Sequence, residues 1–433
     1  MRLSQILGNR RILCGGTGMP PCQNLGYAAI ECFVPIRQVW YNIAVDAQVP
    51  STTHIGLNAH LLSLSRNYRG AGINSYIYYL LQNLGQIDSS CRYTVFLSER
   101  RFVDERLKLQ YTRWPTHRPV VRILWEQLVQ PIALRQAGID LLHAMAFAGP
   151  LVSSCPFVVT IYDLSYLHYP EAFSAWNRWY LSTFTALSAR RAQRVIAISE
   201  STKGDVVRML GVSSDRVDVA YCGVAEIFQP LPTDEVDRFR HVRTLPDRFI
   251  LFLGTLEPRK NVQILIRAYS QWRRAEPGIP KLVIAGGKGW YYDQIFSEVE
   301  RLELTGAVIF PGYVLQEELP LWYNAADLFV YPSRYEGFGL PVLEAMACGT
   351  PAVTSNVASL PEVAGEGALL VSPDDEAQLV EAMRRVLNDK TLRQEMTANG
   401  QAHAACFTWA RTARQTVETY GRALKSGGVE SSA

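Results

Sequence analysis

The chain reads as an α/β protein of two Rossmann-like domains, each a doubly wound parallel sheet, facing one another across a cleft. Three observations lead there. Short, nearly continuous apolar runs alternate with longer segments of helical period, as strands buried on both faces and their crossover helices require. The alternation stops once, in the polar, proline-containing segment 229–248, and then resumes. Finally, 433 residues are more than one hydrophobic core ordinarily serves.

Taken in order, residues 1–53 have glycine and proline clusters and no sustained period, and we expect a poorly ordered N-terminal extension without a catalytic role. The first domain, 54–228, offers the strand runs HIGLNA (54–59), YTVFLS (93–98), LLHAMA (141–146), PFVVTIYD (156–163), RVIAIS (194–199) and VDVAYCG (217–223). A T-x-x-D box at Thr202–Asp205 signals a helix start. The second domain, 248–405, offers FILFLGT (249–255), KLVIAGG (281–287), VIFPGY (308–313), LFVYPS (328–333), PAVTS (351–355) and ALLVSP (368–373). In open α/β sheets ligands bind beyond the carboxyl ends of the strands, so the loops that follow these runs are the candidate site.

Bulk properties remove several classes. With 43 basic against 40 acidic residues the formal charge is +3, too balanced for a nucleic-acid binder working through bulk charge, and no nucleic-acid partner is expected. None of the 8 cysteines falls into a C-x-x-C or zinc spacing, which suits a reducing, cytoplasmic setting. No apolar run approaches the roughly 20 residues of a membrane span, and the N-terminus lacks the pattern of a signal peptide.

The most informative stretch is LFVYPSRYEGFGLPVLEAMACGTPAV, residues 328–353. A buried strand ends at Pro332-Ser333, a glycine loop follows, and a helix begins with Pro341 in its first turn and ends at Gly349. Gly337 and Gly339 let the backbone turn its amides outward beside a helix N-terminus, a place for anionic or hydroxyl-rich groups. Glu344 lies among apolar and small neighbours, where a carboxylate is costly unless hydrogen-bonded; a sugar or ribose diol would supply two donors. The alternative is that Glu344 serves a neighbouring backbone and Glu336 is a solvated loop carboxylate.

The E-x7-E spacing of Glu336 and Glu344, with its flanks, resembles glycosyltransferase family 4, whose members retain configuration and have the GT-B fold. The resemblance runs from about 54 to 425. It implies that Glu336 and the Gly337, Phe338, Gly339 and Leu340 segment hold the donor sugar and that Glu344 binds the ribose. The run LGTLEPRKN (253–261) resembles the family's basic donor loop, which implies that Arg259 and Lys260 meet the diphosphate charge. Some members have Arg directly after the strand glycine, where this chain has Thr255. There is no D-x-D metal motif, so the diphosphate charge is expected to fall to protein groups, with no metal and no other cofactor.

On the first domain, Gly70-Ala71-Gly72 follows the first strand like the family's glycine loop, facing phosphates and acceptor, though a glycine pair there is often only a turn. Relatives often have His before Asp163; here Tyr162 stands in that place. Tyrosine can donate to a sugar hydroxyl but is a poor base near neutrality. The family's front-face route lets the leaving phosphate take the acceptor proton, with Asp163 orienting the acceptor. His143 is a further candidate or a structural histidine, and Ser199 either a donor-loop residue or a helix cap. The tail 406–425 resembles the family's last helix, which crosses back to the first domain.

The expectation is therefore a metal-independent, retaining hexosyltransferase. Its donor is a GDP- or UDP-hexose, with GDP-mannose preferred because YRGAGI and GTLEPRKN look most like mannosyltransferases. The acceptor is a saccharide or lipid-linked saccharide, reached at the inner face of the membrane, where Arg113, Trp114, Arg122 and Trp125 could rest, the alternative being that they are core and solvated positions. A nucleotide-sugar epimerase and a non-catalytic sugar-nucleotide-binding subunit are the rival readings.

Overall fold

The computed structural model describes residues 53–64, 71–290 and 292–427. Gly70 and all of the expected N-terminal extension except Thr53 lie outside the described residues.

The first sheet is built from β1 (His54–Asn58), β2 (Arg92–Leu97), β3 (Lys108–Tyr111), β4 (Leu141–Ala144), β5 (Phe157–Ile161), β6 (Arg194–Ala197) and β7 (Val217–Val219). Its spatial order is β3-β2-β1-β4-β5-β6-β7, and every pairing is parallel. The second sheet takes β8 (Phe249–Leu253), β9 (Lys281–Ala285), β10 (Val308–Gly312), β11 (Leu328–Tyr331), β12 (Ala352–Ser355) and β13 (Ala368–Val371). Its order is β10-β9-β8-β11-β12-β13, again all parallel. Strands such as β8 (FILFL) are buried at every position because helices cover both faces, which is why they read as unbroken apolar runs. The strand missing from the sequence reading is β3. It is an edge strand, K-L-Q-Y, largely exposed, so it carries no apolar signature.

The helices that matter for the site are α1 (Ala71–Ile87), α2 (Pro119–Leu124), α3 (Gln130–Ala137), α4 (Ala175–Arg191), α5 (Glu200–Leu210), α6 (Leu340–Ala347) and α7 (Trp409–Gly427). A π turn, Trp125–Val129, joins α2 to α3 without a break. Helix α5 begins earlier than the T-x-x-D box suggested. Ser199 is its cap, accepting from the Thr202 amide at 3.0 Å, and both Thr202 and Asp205 lie inside the helix. The reason is that Ser199, two residues beyond its strand, is still extended, which leaves its hydroxyl beside the first amides of the helix.

The chain passes from the first domain to the second near Val224 and returns near Phe407, and the two passages touch: the Val224 amide donates to the Phe407 carbonyl at 3.0 Å. Helix α7 then lies against α1 of the first domain. Trp409 stacks on Tyr79 with ring centroids 5.3 Å apart, and the Tyr420 hydroxyl meets His143 Nδ1 at 2.7 Å.

Candidate active site

In each sheet the strand order reverses once, between β1 and β4 and between β8 and β11, and such switch points open a crevice at the carboxyl ends of the strands. A cavity of about 710 Å³ occupies that position and is lined from both domains, by Gly72 and Asp163 on one side and Gly254, Arg259, Glu336 and Glu344 on the other.

Its floor is a charge cluster. After β8 the chain makes a 3-10 turn, Pro258–Lys260, and turns into the next helix at Asn261, a left-handed residue (φ 56°) whose side-chain amide donates to the Pro373 carbonyl at 2.7 Å. The turn presents Arg259 and Lys260 to the loop after β11. Lys260 Nζ donates to Glu336 Oε1 at 2.6 Å and to the Tyr331 hydroxyl at 2.6 Å, and Arg259 donates to Glu336 Oε2 at 3.0 Å. Ser333 Oγ adds a third donor to Glu336 Oε1 at 2.7 Å. Burial alone would raise the Glu336 carboxyl, but Lys260 and Arg259 outweigh it and hold it down to about 2. Glu257 receives the other edge of Arg259 at 2.7 Å. Two cations thus face two carboxylates, and Glu336 holds the basic pair in place before any ligand arrives.

Above this floor stands the N-terminus of α6. Its cap, Gly339, has φ 112°, which a residue with a side chain adopts only at a cost, and no side chain caps the first turn. Pro341 has no amide hydrogen and the Val342 and Leu343 amides bond the Gly339 carbonyl, so the Leu340 amide and the helix dipole are what this end offers the cleft that Gly339 and Leu340 line with Arg259 and Lys260. Glu344 sits one turn further in. The Tyr323 hydroxyl donates to its Oε2 at 2.8 Å, and burial lifts its carboxyl to about 7. Phe338 contributes backbone only, because its side chain packs on Phe407 and Tyr221 at the interdomain passage.

The two domains meet at this loop. A Cβ on Gly337 would lie 2.0 Å from the Tyr162 carbonyl oxygen, so only glycine permits the approach. The Gly337 carbonyl accepts from Ser199 Oγ at 2.7 Å, and Tyr335 Oη donates to Asp205 at 2.8 Å. Glu362, from the second domain, accepts from the Glu200 and Ser201 amides at 2.8 Å each, an anion set on the N-terminus of α5.

Comparison with known proteins decides what carries this arrangement. The family described as Glycosyltransferase Family 4 matches residues 56–226, and Glycosyl transferases group 1 matches 233–403. O-antigen chain mannosyltransferase B of Escherichia coli is 34% identical over 61% of this chain and 69% of that protein. The chain belongs to the family 4 glycosyltransferases. The serotype-specific mannosyltransferase WbdA of Escherichia coli is 35% identical over 54% of this chain, which spans only 29% of WbdA. Among solved structures, sucrose-phosphate synthase from Thermosynechococcus elongatus (TM-score 0.66, 21% identity) covers 85% of this chain and 98% of its own. Anabaena HepE in complex with UDP-glucose (TM-score 0.64, 19% identity) covers 85% and 99%. The fold is GT-B, and the enzyme is a hexosyltransferase.

Not every residue singled out from the glycosyltransferase's sequence reaches the chemistry. His143 is fully buried away from the cleft, its ring bonded to Tyr420 and to Thr160 Oγ1 at 2.7 Å each. Burial presses it down to about 3, so it is a neutral strut that ties α7 to the first sheet. Tyr162 borders the cleft, but its hydroxyl donates to the Met145 carbonyl at 2.5 Å and is not offered to a sugar. Asp163 does line the cleft, with Oδ1 accepting from the Ser165 amide and hydroxyl at 2.9 and 2.7 Å. Ser199 is the helix cap and also donates to the Gly337 carbonyl, and its side chain is fully buried. Ala71 and Gly72 open α1, and a Cβ on Gly72 would meet nothing within 4 Å, leaving space on the cleft wall. Trp125 is core, 4.0 Å from His60, and Arg122 is partly buried 3.7 Å from Glu126, so neither is free to rest on a membrane. Glu257, Tyr331, Ser333 and Glu362 were not foreseen. Of these only Glu257 had a signal, inside the basic run itself.

Proposed function

We propose that this glycosyltransferase is a retaining, metal-independent mannosyltransferase that takes mannose from GDP-mannose and adds it to a saccharide or lipid-linked saccharide in surface polysaccharide assembly. UDP-hexoses are the other donors in the same class, and the inner face of the membrane is the place of work. The observation that carries the reading is the Arg259–Lys260 pair, locked by Glu336 beneath the uncapped N-terminus of α6. The names of the relatives supply the preference for mannose.

In this reading the diphosphate lies over Arg259, Lys260 and the first turn of α6, with the ribose diol on Glu344. The bond from the sugar C1 to the phosphate oxygen breaks, and the electron pair leaves with the diphosphate. The acceptor oxygen bonds to C1 on the same face, and its proton passes to the departing phosphate oxygen. Arg259 and Lys260 meet the charge that develops there, the role a divalent metal plays elsewhere. Among the described residues no group of three or more His, Cys, Asp or Glu is placed to hold a metal ion. Asp163 orients the acceptor. No other base is needed, which agrees with the committed hydroxyl of Tyr162 and the buried ring of His143.

The test is nucleotide release from GDP-mannose and UDP-hexoses, with and without a lipid-linked saccharide, in EDTA. GDP release that EDTA leaves intact is the expected outcome. Lys260→Ala should lower it by on the order of 10²–10³, as loss of one charge-stabilising donor does elsewhere. Release abolished by EDTA, or undiminished in Lys260→Ala, would overturn the assignment of these cations.

A further inference from the structure

The first domain carries an apolar ridge that nothing among the described residues covers. Along α2, the π turn and α3, the side chains of Val120, Leu124, Leu128 and Ile132 are 55%, 46%, 63% and 58% exposed. They repeat every fourth residue. In a pure α-helix that spacing drifts by about 40° per step, because four residues overshoot a 3.6-residue turn. The π turn Trp125–Val129 is wider, so there four residues fall short of a turn and the drift is offset. The result is one straight ridge, about 18 Å from Val120 to Ile132 at 1.5 Å per residue.

Its surroundings are basic. From 112 to 138 the chain exposes Arg113, Arg118 and Arg135, and its one carboxylate, Glu126, is buried and paired with the partly buried Arg122. Helix α4 joins the same region through Tyr180, which lies beside Arg122. It contains no Asp or Glu, carries Arg178, Arg190 and Arg191, and exposes Trp176 and Trp179 by about half. The loop between β4 and β5 is fastened to both: Gln127 bonds Gly149 and Leu151, Arg191 bonds the Leu151 carbonyl, and Val152 projects outward.

We propose that this face seats the enzyme on an anionic lipid surface, with the aliphatic ridge at the boundary of headgroups and acyl chains and the arginines on acidic headgroups. Charge complementarity selects the occupant. A second copy would bring arginines against arginines, and a nucleic acid would leave four aliphatic side chains unmatched. A bilayer matches both parts, and half-exposed tryptophans suit its interface. The proposal extends the lipid-linked acceptor reading, but its test needs neither donor nor acceptor, so either can fail alone.

The full chain is sedimented with vesicles of phosphatidylcholine alone and of phosphatidylcholine with phosphatidylglycerol. Binding to the anionic vesicles should exceed that to neutral ones by on the order of tenfold and weaken with salt. Leu128→Glu with Ile132→Glu should lower it by about tenfold or more, since two aliphatic anchors become charges. Arg118→Glu with Arg135→Glu should erase the preference for the acidic lipid. All four positions are exposed, and unchanged thermal melts would confirm intact folding. Equal binding to both vesicle types, no binding at all, or a dimer in light scattering that Leu128→Glu dissolves would each overturn the proposal.

Discussion

Glu336 and Glu344 belong to one motif, yet their environments drive them in opposite directions. Glu336 is held near 2 by Lys260 and Arg259 despite its burial, whereas Glu344 has one tyrosine hydroxyl for company and is lifted to about 7. In the proposed role Glu344 receives the ribose hydroxyls, and an ionised acceptor makes a bond roughly twice as strong as a neutral one. Below about pH 7 the carboxyl is protonated, so donor KM should fall, by about fivefold, as pH rises from about 6 to 8. Glu344→Gln should hold KM near its acid-side value and flatten the profile. Steady-state donor kinetics across pH checks this, and a wild-type profile in the variant would remove Glu344 from the ribose site.

Among the elements, the loop after β11 and the N-terminus of α5 hold the cleft together. The loop reaches α5 through Gly337 and Tyr335, and Glu362, from the short helix Leu360–Ala364 after β12, adds an anion that accepts two α5 amides from across the interface, worth about 1–2 kcal/mol in partly buried geometry. Glu362→Ala should therefore shift closure toward the open form and raise donor KM about five- to thirtyfold. The melting temperature should barely move, because the substitution removes no apolar side chain from the core that the two domains share. Kinetics together with small-angle scattering of the variant would test the pairing; an unchanged KM would mean that closure does not depend on this contact. The same elements show how one backbone position limits the site, since Gly337 lies so close to Tyr162 that any side chain would prop the domains apart.

For the molecule as a whole, buried carboxylates set the pH range of stability. Burial raises both Glu126 and Glu344 to about 7. Between the unfolded value of about 4.3 and about 7 the folded chain binds more protons at these groups than the unfolded chain, so stability declines as pH rises through that window. Glu336 acts in the opposite sense: its contribution is present above about 4.3 and is lost as pH falls toward 2. The buried histidines His60 and His143, both pressed down to about 3, also act in that opposite sense below the unfolded value of about 6.5, so the melting temperature should peak between about pH 6 and 7 and fall from there to about pH 8. Glu126→Gln should flatten that alkaline limb, and scanning calorimetry over the range reads both outcomes. A melting temperature that rises steadily to pH 8 would contradict the burial of these groups.

The strands and the fold class were legible in the residues because strands buried on both faces must be apolar throughout, and only exposed β3 escaped notice. The Gly-x-Gly loop and the helix that follows it were legible because few residues adopt the backbone at Gly339 (φ 112°) or start a helix as Pro341 does. Which charges face which was not. That Lys260 and Arg259 converge on Glu336 depends on β8 and β11 being neighbours, although they lie far apart in the chain. The fates of His143 and Tyr162 were settled by Tyr420 and Met145, partners that spacing does not reveal. The sequence by itself determined the local backbone and the two-domain plan, since those follow from period and from residue geometry. Only the tertiary structure decided protonation, closure and the exposed ridge, because each depends on how distant side chains shield or neutralise one another.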